Sequence, residues 1–202
     1  AWGRYMGNND GGSRVPTALA NSASANVVKI YSNNQAFAAL KSDNTVAAWG
    51  HRSNGGSVTT EVGNANTVQS IYSTNTAFAA LLGDGSVLVW GNSNCGASGL
   101  PAGITATAIY ATQCTFAAVL ADTSVVAWES SIVATTVPAG LTGVEYIFTN
   151  QATFVALKSD NSVVQWGFTD SNYVDLPAAQ LGTKVGSVSG NTQGFAAYLA
   201  AD

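Results

Sequence analysis

Few residues in this chain could do covalent or acid–base chemistry. His51 is the only histidine, so a Ser-His-Asp triad could be assembled only around it. It stands in the loop after Trp49, without an equivalent elsewhere in the chain, and reads as a surface residue. Cys95 and Cys114 exclude an all-cysteine metal site and permit one disulfide; the simpler expectation is two buried or unpaired thiols acting as small hydrophobes. With His51 they come from three scattered places, which does not suit zinc. Gly11-Gly12 and Gly55-Gly56 lack the spacing and the Lys of a phosphate-binding loop. No catalytic residue, metal or cofactor is expected, and the chain does not read as an enzyme.

Two other polar sets recur at matched positions. Asp43, Asp84, Asp122, Asp160 and Asp202 would form a ring on one face, where each is expected to bond its own turn backbone rather than a cation. Asn34, Asn75, Gln113 and Gln151 stand three residues before Phe37, Phe78, Phe116 and Phe154; Thr192 holds that place before Phe195, with Asn191 beside it. These carboxamides are expected to gather on one rim around a central channel. The simpler reading is that they cap unpaired backbone groups; the alternative is a repeated polar site for carbohydrate or peptide, with Tyr31, Tyr72 and Tyr110 as aromatic platforms.

The elements that would position these residues are repeats. YSNNQAFAALKSDNTVAAWG (31–50), YSTNTAFAALLGDGSVLVWG (72–91), YATQCTFAAVLADTSVVAWE (110–129) and FTNQATFVALKSDNSVVQWG (148–167) are near copies, and VSGNTQGFAAYLAAD (188–202) breaks off where the others turn. The starts near 31, 72, 110, 148 and 188 give a period of a propeller blade, 38 to 41 residues. Each copy reads as a short apolar strand, an Asp-containing two-residue hairpin turn and a Val-rich strand ending at Trp. A further strand precedes it at 27–31, 68–72, 106–110, 144–148 and 184–188. The stretch after each Trp, rich in Gly, Asn, Ser and Pro, reads as a long loop with room for a short, irregular fourth strand. Trp2, Trp49, Trp90, Trp128 and Trp166 fall once per repeat and are expected to form the structural core between blades. Burying one such side chain contributes about 4–6 kcal/mol of gross hydrophobic free energy.

The expected fold is therefore an all-β, five-bladed β-propeller with three to four short antiparallel strands per blade, forming a single domain over 1–202. Residues 1–30 would complete the last blade, with Ala1-Trp2-Gly3 supplying the strand that the fifth copy lacks. Five residues separate Asp43 from Trp49, but only Ala1 would separate Asp202 from Trp2. The closing strand is then short, or the chain comes from a longer array with more blades. The absence of an initiator Met suits a processed product or a segment.

The stretches AFAALKSDNTVAAWG, AFAALLGDGSVLVWG and FVALKSDNSVVQWG resemble the repeat of the regulator of chromosome condensation superfamily, whose units carry an Ala-Leu, an Asp-Gly turn and a terminal Trp-Gly. The resemblance covers about half of every unit and is nearest to the short repeats of secreted bacterial members, propeller-type β-lactamase inhibitors among them. It implies a propeller, commonly of seven blades, whereas this chain supplies five. The Gly-x-x-His segment usual in the family is replaced here by Tyr-Ser-x-Asn or a variant.

Composition narrows the function. Hydrophobic residues make up 47% and charged ones only 9%, with small polar residues in their place. The net charge of −4 and the scattered basic residues argue against nucleic acid, chromatin or an anionic membrane surface. No apolar run is long enough to span a bilayer. The loops at 51–65, 92–105, 129–143 and 168–183 differ among repeats, which favours one asymmetric protein partner or self-association over equal sugar sites. The expected function is a non-enzymatic binding or scaffold module, extracellular or at the cell surface. A lectin-like propeller with one carbohydrate site per blade is the alternative.

Overall fold

The computed structural model describes residues 19, 26–65, 67–129, 136–167, 176, 184–191 and 194–199. The first sheet orders β1 (Val27–Ser32), β2 (Ala36–Lys41) and β3 (Val46–Gly50), and the second β4 (Val68–Ser73), β5 (Ala77–Leu82) and β6 (Val87–Gly91). The third holds β7 (Ala106–Ala111), β8 (Thr115–Leu120) and β9 (Val125–Glu129), and the fourth β10 (Val144–Thr149), β11 (Thr153–Lys158) and β12 (Val163–Gly167). The fifth has two described strands, β13 (Val185–Gly190) and β14 (Phe195–Leu199). Every pairing is antiparallel, and the first strands of successive sheets lie side by side. The expected closing strand with Trp2 lies outside the described residues.

The long loops contain helical turns where room was left for a fourth strand. Among the described residues the first loop has a 3-10 turn at Arg52–Asn54 and a short helix, α1 (Thr60–Asn64), while the second has a 3-10 turn at Ser93–Cys95. Asn92 and Thr59 cap their turns with side-chain oxygens. Each 3-10 turn ends at a left-handed glycine, Gly55 or Gly96. A Cβ there would come within 2.5 or 2.6 Å of the Phe78 or Phe116 ring, so the loop lies against the next sheet only because glycine is there.

The hairpin turn also differs from the expected two-residue type. Lys41 N–H donates to the Thr45 carbonyl at 3.0 Å, enclosing three residues, and only the third of them has positive φ. The reason is the aspartate: Asp43 Oδ1 accepts the backbone N–H of Thr45 at 3.0 Å, holding the first two turn residues in place. The left-handed residue is Asn44, Gly85, Thr123 or Asn161, and its carbonyl accepts a hydrogen bond from the first residue of the next sheet, at 2.7–3.1 Å. One local turn thus contributes directly to sheet–sheet attachment.

Packing between sheets supplies the core. Phe37, Phe78, Phe116 and Phe154 stand opposite Trp49, Trp90, Trp128 and Trp166, with ring centroids 5.1–5.5 Å apart in stacked pairs. The Phe78–Trp90 face buries against Ala36, Ala38, Leu40 and Val46 of the preceding sheet, and the same arrangement recurs at the next two junctions. Small alanines on one face therefore receive the aromatics of its neighbour. Trp90 Nε1 donates to the Gly55 carbonyl at 3.0 Å and Trp128 Nε1 to that of Gly96 at 3.1 Å, so the loop is fastened as well. Ile30 and Phe37 of the first sheet are 56% and 43% exposed, whereas Ile71 and Phe78 of the second are 3% and 0% exposed. The two positions are buried where a described sheet precedes them.

Thr123 is the one β-branched residue among the four left-handed turn positions, where Cβ crowds the backbone. Thr123→Asn should stabilise the protein by about 1 kcal/mol in chemical denaturation, since Asn tolerates this conformation and also carries an oxygen that could accept the Gly143 N–H now bound to Thr123 Oγ1 at 3.0 Å. An unchanged or lower midpoint would show that the Gly143 contact outweighs the backbone strain.

Candidate functional site

The residue that begins each turn between the first and second strands shapes the site. Asn33 Oδ1 accepts the N–H groups of Gln35 and Ala36 at 2.9 and 2.7 Å, and Asn150 Oδ1 those of Ala152 and Thr153 at 2.9 and 2.7 Å. Thr74 and Thr112 do the same work with a hydroxyl, accepting from Ala77 and Thr115 at 3.0 and 3.2 Å, and Asn191 accepts from Gly194 at 2.9 Å. These five side chains satisfy the turn. The carboxamide residue that follows is thereby relieved of the capping role expected for it.

The next residue is used twice. Its backbone links successive sheets: Asn34 N–H donates to the Asn75 carbonyl at 3.1 Å, Asn75 to Gln113 at 2.8 Å, and Gln113 to Gln151 at 2.9 Å. Its side chain faces a cavity of about 580 Å³ where the inner strands converge. Asn34, Asn75, Gln113, Gln151 and Asn191 all line that cavity, so the structure brings the five together on one rim. Thr192 lies outside the described residues. The side chains of Asn34, Asn75, Gln113 and Gln151 make no hydrogen bond among the described residues. The thirteen lining residues are all Ser, Thr, Asn, Gln or Gly, so the described lining holds neither a charge nor an aromatic ring.

Tyr31, Tyr72 and Tyr110 are placed elsewhere. They sit partly buried on the inner strands against the inter-sheet clusters and do not line the cavity. Tyr72 accepts a hydrogen bond from Ser70 Oγ at 3.2 Å, and Tyr110 meets Tyr146 edge to face at 5.2 Å. Burial pushes the Tyr110 hydroxyl above its ordinary pKa. Trp90, Trp128 and Trp166 are buried in the clusters between sheets, Trp49 is buried and stacked on Phe37 of its own sheet, and Trp2 lies outside the described residues.

The 3-10 turns border this cavity. Asn33 Nδ2 donates to the Asn54 carbonyl at 2.7 Å and Thr74 Oγ1 to the Cys95 carbonyl at 2.8 Å, so the loops share a face with the carboxamides. His51 has a structural counterpart after all. Its N–H donates to Gln35 and its carbonyl accepts from Asn54 and Gly56, and Asn92 repeats those three bonds with Thr76, Cys95 and Ala97. Residue type does not reveal the equivalence because the three shared bonds are made by backbone atoms; Asn92 adds a side-chain cap on Asn94 that His51 does not make.

Cys95 and Cys114 are bridged. The expectation of unpaired thiols fails because Cys95 ends the 3-10 turn of one loop while Cys114 lies in the inner turn of the next sheet, directly beside Gln113. Asn54 and Thr76 hold the equivalent places one junction earlier, where Asn54 instead bonds the side chains of Gln35 and Asn92. The disulfide closes a separation of 19 residues, and reducing it should lower stability by about 3 kcal/mol in denaturant titrations. An unchanged midpoint in reductant would show that the noncovalent ties alone hold this junction.

The recurring aspartates do not form a joint site. Asp84, Asp122 and Asp160 each accept from the hydroxyl and backbone N–H of the Ser two residues on, as Asp43 does from Thr45. Those hydroxyl bonds, and then the N–H bonds, hold all four carboxyls below the ordinary range, with Asp160 at about 2. Asp202 lies outside the described residues. No metal-holding cluster of His, Cys, Asp or Glu occurs among the described residues. A carboxylate depressed in the folded state stabilises above its unfolded pKa and loses that contribution as pH falls through the folded value. The thermal midpoint should therefore drop as pH falls from about 4 to about 2, and Asp160→Asn should make the drop shallower. An identical slope in the variant would assign acid sensitivity to other groups.

No family model and no curated protein matches the chain. Solved structures do match in fold. The CRINKLY WD40 ectodomain of the Arabidopsis thaliana receptor kinase ACR4 aligns with TM-score 0.59 and 18% identity over 82% of this chain and 58% of that one. Yeast RCC1 (Prp20), in a structure with Kap60 bound, aligns with TM-score 0.57 and 15% identity over 82% and 52%. A separate structure of Prp20p from Saccharomyces cerevisiae aligns with TM-score 0.53 and 15% identity over 73% and 47%. The chain thus spans about half the length of these structures. The sheets define a repeat β-propeller architecture. Within it, the chain is similar in fold to the RCC1 propeller.

Proposed function

We propose that this chain is a non-enzymatic protein-interaction module that recognises its partner with the face holding the carboxamide rim and the 3-10 loops. The observation that carries this reading is the division of that face into a repeated frame and unequal outward groups. The frame bonds of the two described 3-10 loops are the same, yet one presents Arg52 and Ser53 and the other Ser93 and Asn94, all exposed. Unequal groups on an equal frame suit one asymmetric partner. Proteins of similar fold add weight: yeast RCC1 was solved with Kap60 bound, and Prp20p has binding properties toward Gsp1p and histones. The acidic balance here gives no basic surface for nucleic acid.

The architecture that would present this face is a single five-bladed propeller over residues 1–202. Ala1-Trp2-Gly3 repeats the Ala48-Trp49-Gly50 of β3, and Phe195 is the one inner-hairpin Phe without a described Trp opposite it, which supports pairing Trp2 with Phe195. The open apolar groups of the first sheet and of Tyr198 at the far end would supply the two halves of one more sheet–sheet junction, which supports this closure. An extracellular or surface location is supported by the disulfide, which persists in oxidising surroundings.

The test compares the native chain with a variant carrying Arg52, Ser53, Ser93 and Asn94 changed to Ala, both immobilised against fractionated extracellular proteins of the source organism. A saturable partner bound by the native chain and weakened about tenfold or more by the variant, at unchanged thermal midpoint, is the expected result. Equal binding by both chains would remove this face from the function.

A further inference from the structure

The rim residues Asn34, Asn75, Gln113 and Gln151 carry a set of equivalent side chains whose polar atoms make no hydrogen bond among the described residues. The Asn or Thr before each of them caps the turn, and their own backbones tie sheet to sheet, yet the four carboxamides make no bond among the described residues. The four carboxamides recur at equivalent places around one open depression, accessible to solvent rather than buried, so their donors and acceptors are available to a ligand.

We infer that this depression is the binding site for an uncharged, hydrogen-bonding polypeptide segment of the partner, such as a Gly-, Ser- or Asn-rich loop whose main chain pairs with the four carboxamides. A primary carboxamide presents donors and an acceptor in one plane, the same complement that a peptide unit presents, so each rim residue can pair with a main-chain N–H and C=O. The described lining contains only Ser, Thr, Asn, Gln and Gly, which offers no counter-charge to an ionic side chain and leaves its desolvation uncompensated. Among the described residues the lining also lacks the aromatic face on which a sugar ring would stack, since Tyr31, Tyr72 and Tyr110 are committed to the inner-strand packing. A volume of about 580 Å³ lies within the size range of ligand sites and admits a loop tip.

This inference rests on the reading of the face as protein-binding and names what enters its centre. The ¹⁵N-labelled full chain is titrated with acetyl-Gly-Ser-Asn-Gly-amide, with the same peptide carrying Asp and Lys at its two central positions, and with maltotetraose. The side-chain NH₂ signals of the four residues should move with the neutral peptide, while the charged peptide binds about tenfold more weakly and maltotetraose moves none of them. Replacing all four by Ala should weaken the neutral peptide about tenfold while the backbone signals of β5 and β8 stay in place, and Asn34→Gln with Gln113→Asn should keep the affinity within about threefold. Silence of the four signals, or equal response to the charged peptide, overturns the inference; stronger binding of maltotetraose assigns the depression to saccharide instead. A natural partner lost by the Arg52-Ser53-Ser93-Asn94 variant but kept by the four-alanine variant would overturn this inference alone. One kept by both would overturn the reading of the face as well.

Discussion

Every other feature depends on the burial of a stacked Phe–Trp pair against the alanine-rich face of the preceding sheet. A sheet of three five- or six-residue strands has two faces and little interior, so it cannot hold itself together in water. Stacking Phe78 on Trp90 and pressing both onto Ala36 and Ala38 converts two marginal sheets into one shared core. Such a junction has a direction: the aromatic face of one sheet receives the alanine face of another. Direction is what places the inner strands in order and brings equivalent residues to one rim.

Much of this is legible in the residues. The five copies, the inner strands near 27–31, 68–72, 106–110 and 144–148, and the burial of Trp49, Trp90, Trp128 and Trp166 follow from the period and from hydrophobic alternation. The turn length is not legible, because Asp-Asn and Asp-Gly signal left-handed backbone without saying how many residues the loop holds. Only the Asp side chain's bond two residues on settles that number. The helical turns in the loops are not legible either, because their signal is a single left-handed glycine, Gly55 or Gly96, without any hydrophobic period around it.

The site was half legible. Matched spacing before each Phe was enough to gather Asn34, Asn75, Gln113 and Gln151 on one rim, because any residue three positions ahead of an equivalent strand residue must occupy an equivalent place. It could not tell which of two adjacent polar residues caps the turn, since Asn33 and Asn34 are the same residue type in the first repeat. The later repeats carry the distinction, with Thr74 and Thr112 at the capping position and Asn75 and Gln113 beside them: a Thr hydroxyl reaches backbone one turn away, and a Gln side chain is too long for the same short loop. The tyrosines mislead for a different reason. An aromatic residue on an inner strand has equal claim to a channel and to the space between sheets, and only the packing of Tyr110 on Tyr146 decides it.

The disulfide shows how this frame admits change without losing its order. At the first junction Asn54 bonds the neighbouring amides of Gln35 and Asn92, and at the second the same position is covalently joined to the residue after Gln113. Either solution fastens a loop to the rim, because the backbone ties from Asn34 through Gln151 have already fixed where that loop must sit. The frame therefore carries the geometry, and the side chains are released to differ. That separation is what allows a chain with 9% charged residues to build a specific surface: its distinctions are made with hydroxyls, amides and loop shape, which keep their hydrogen-bonding character at salt concentrations that screen ion pairs.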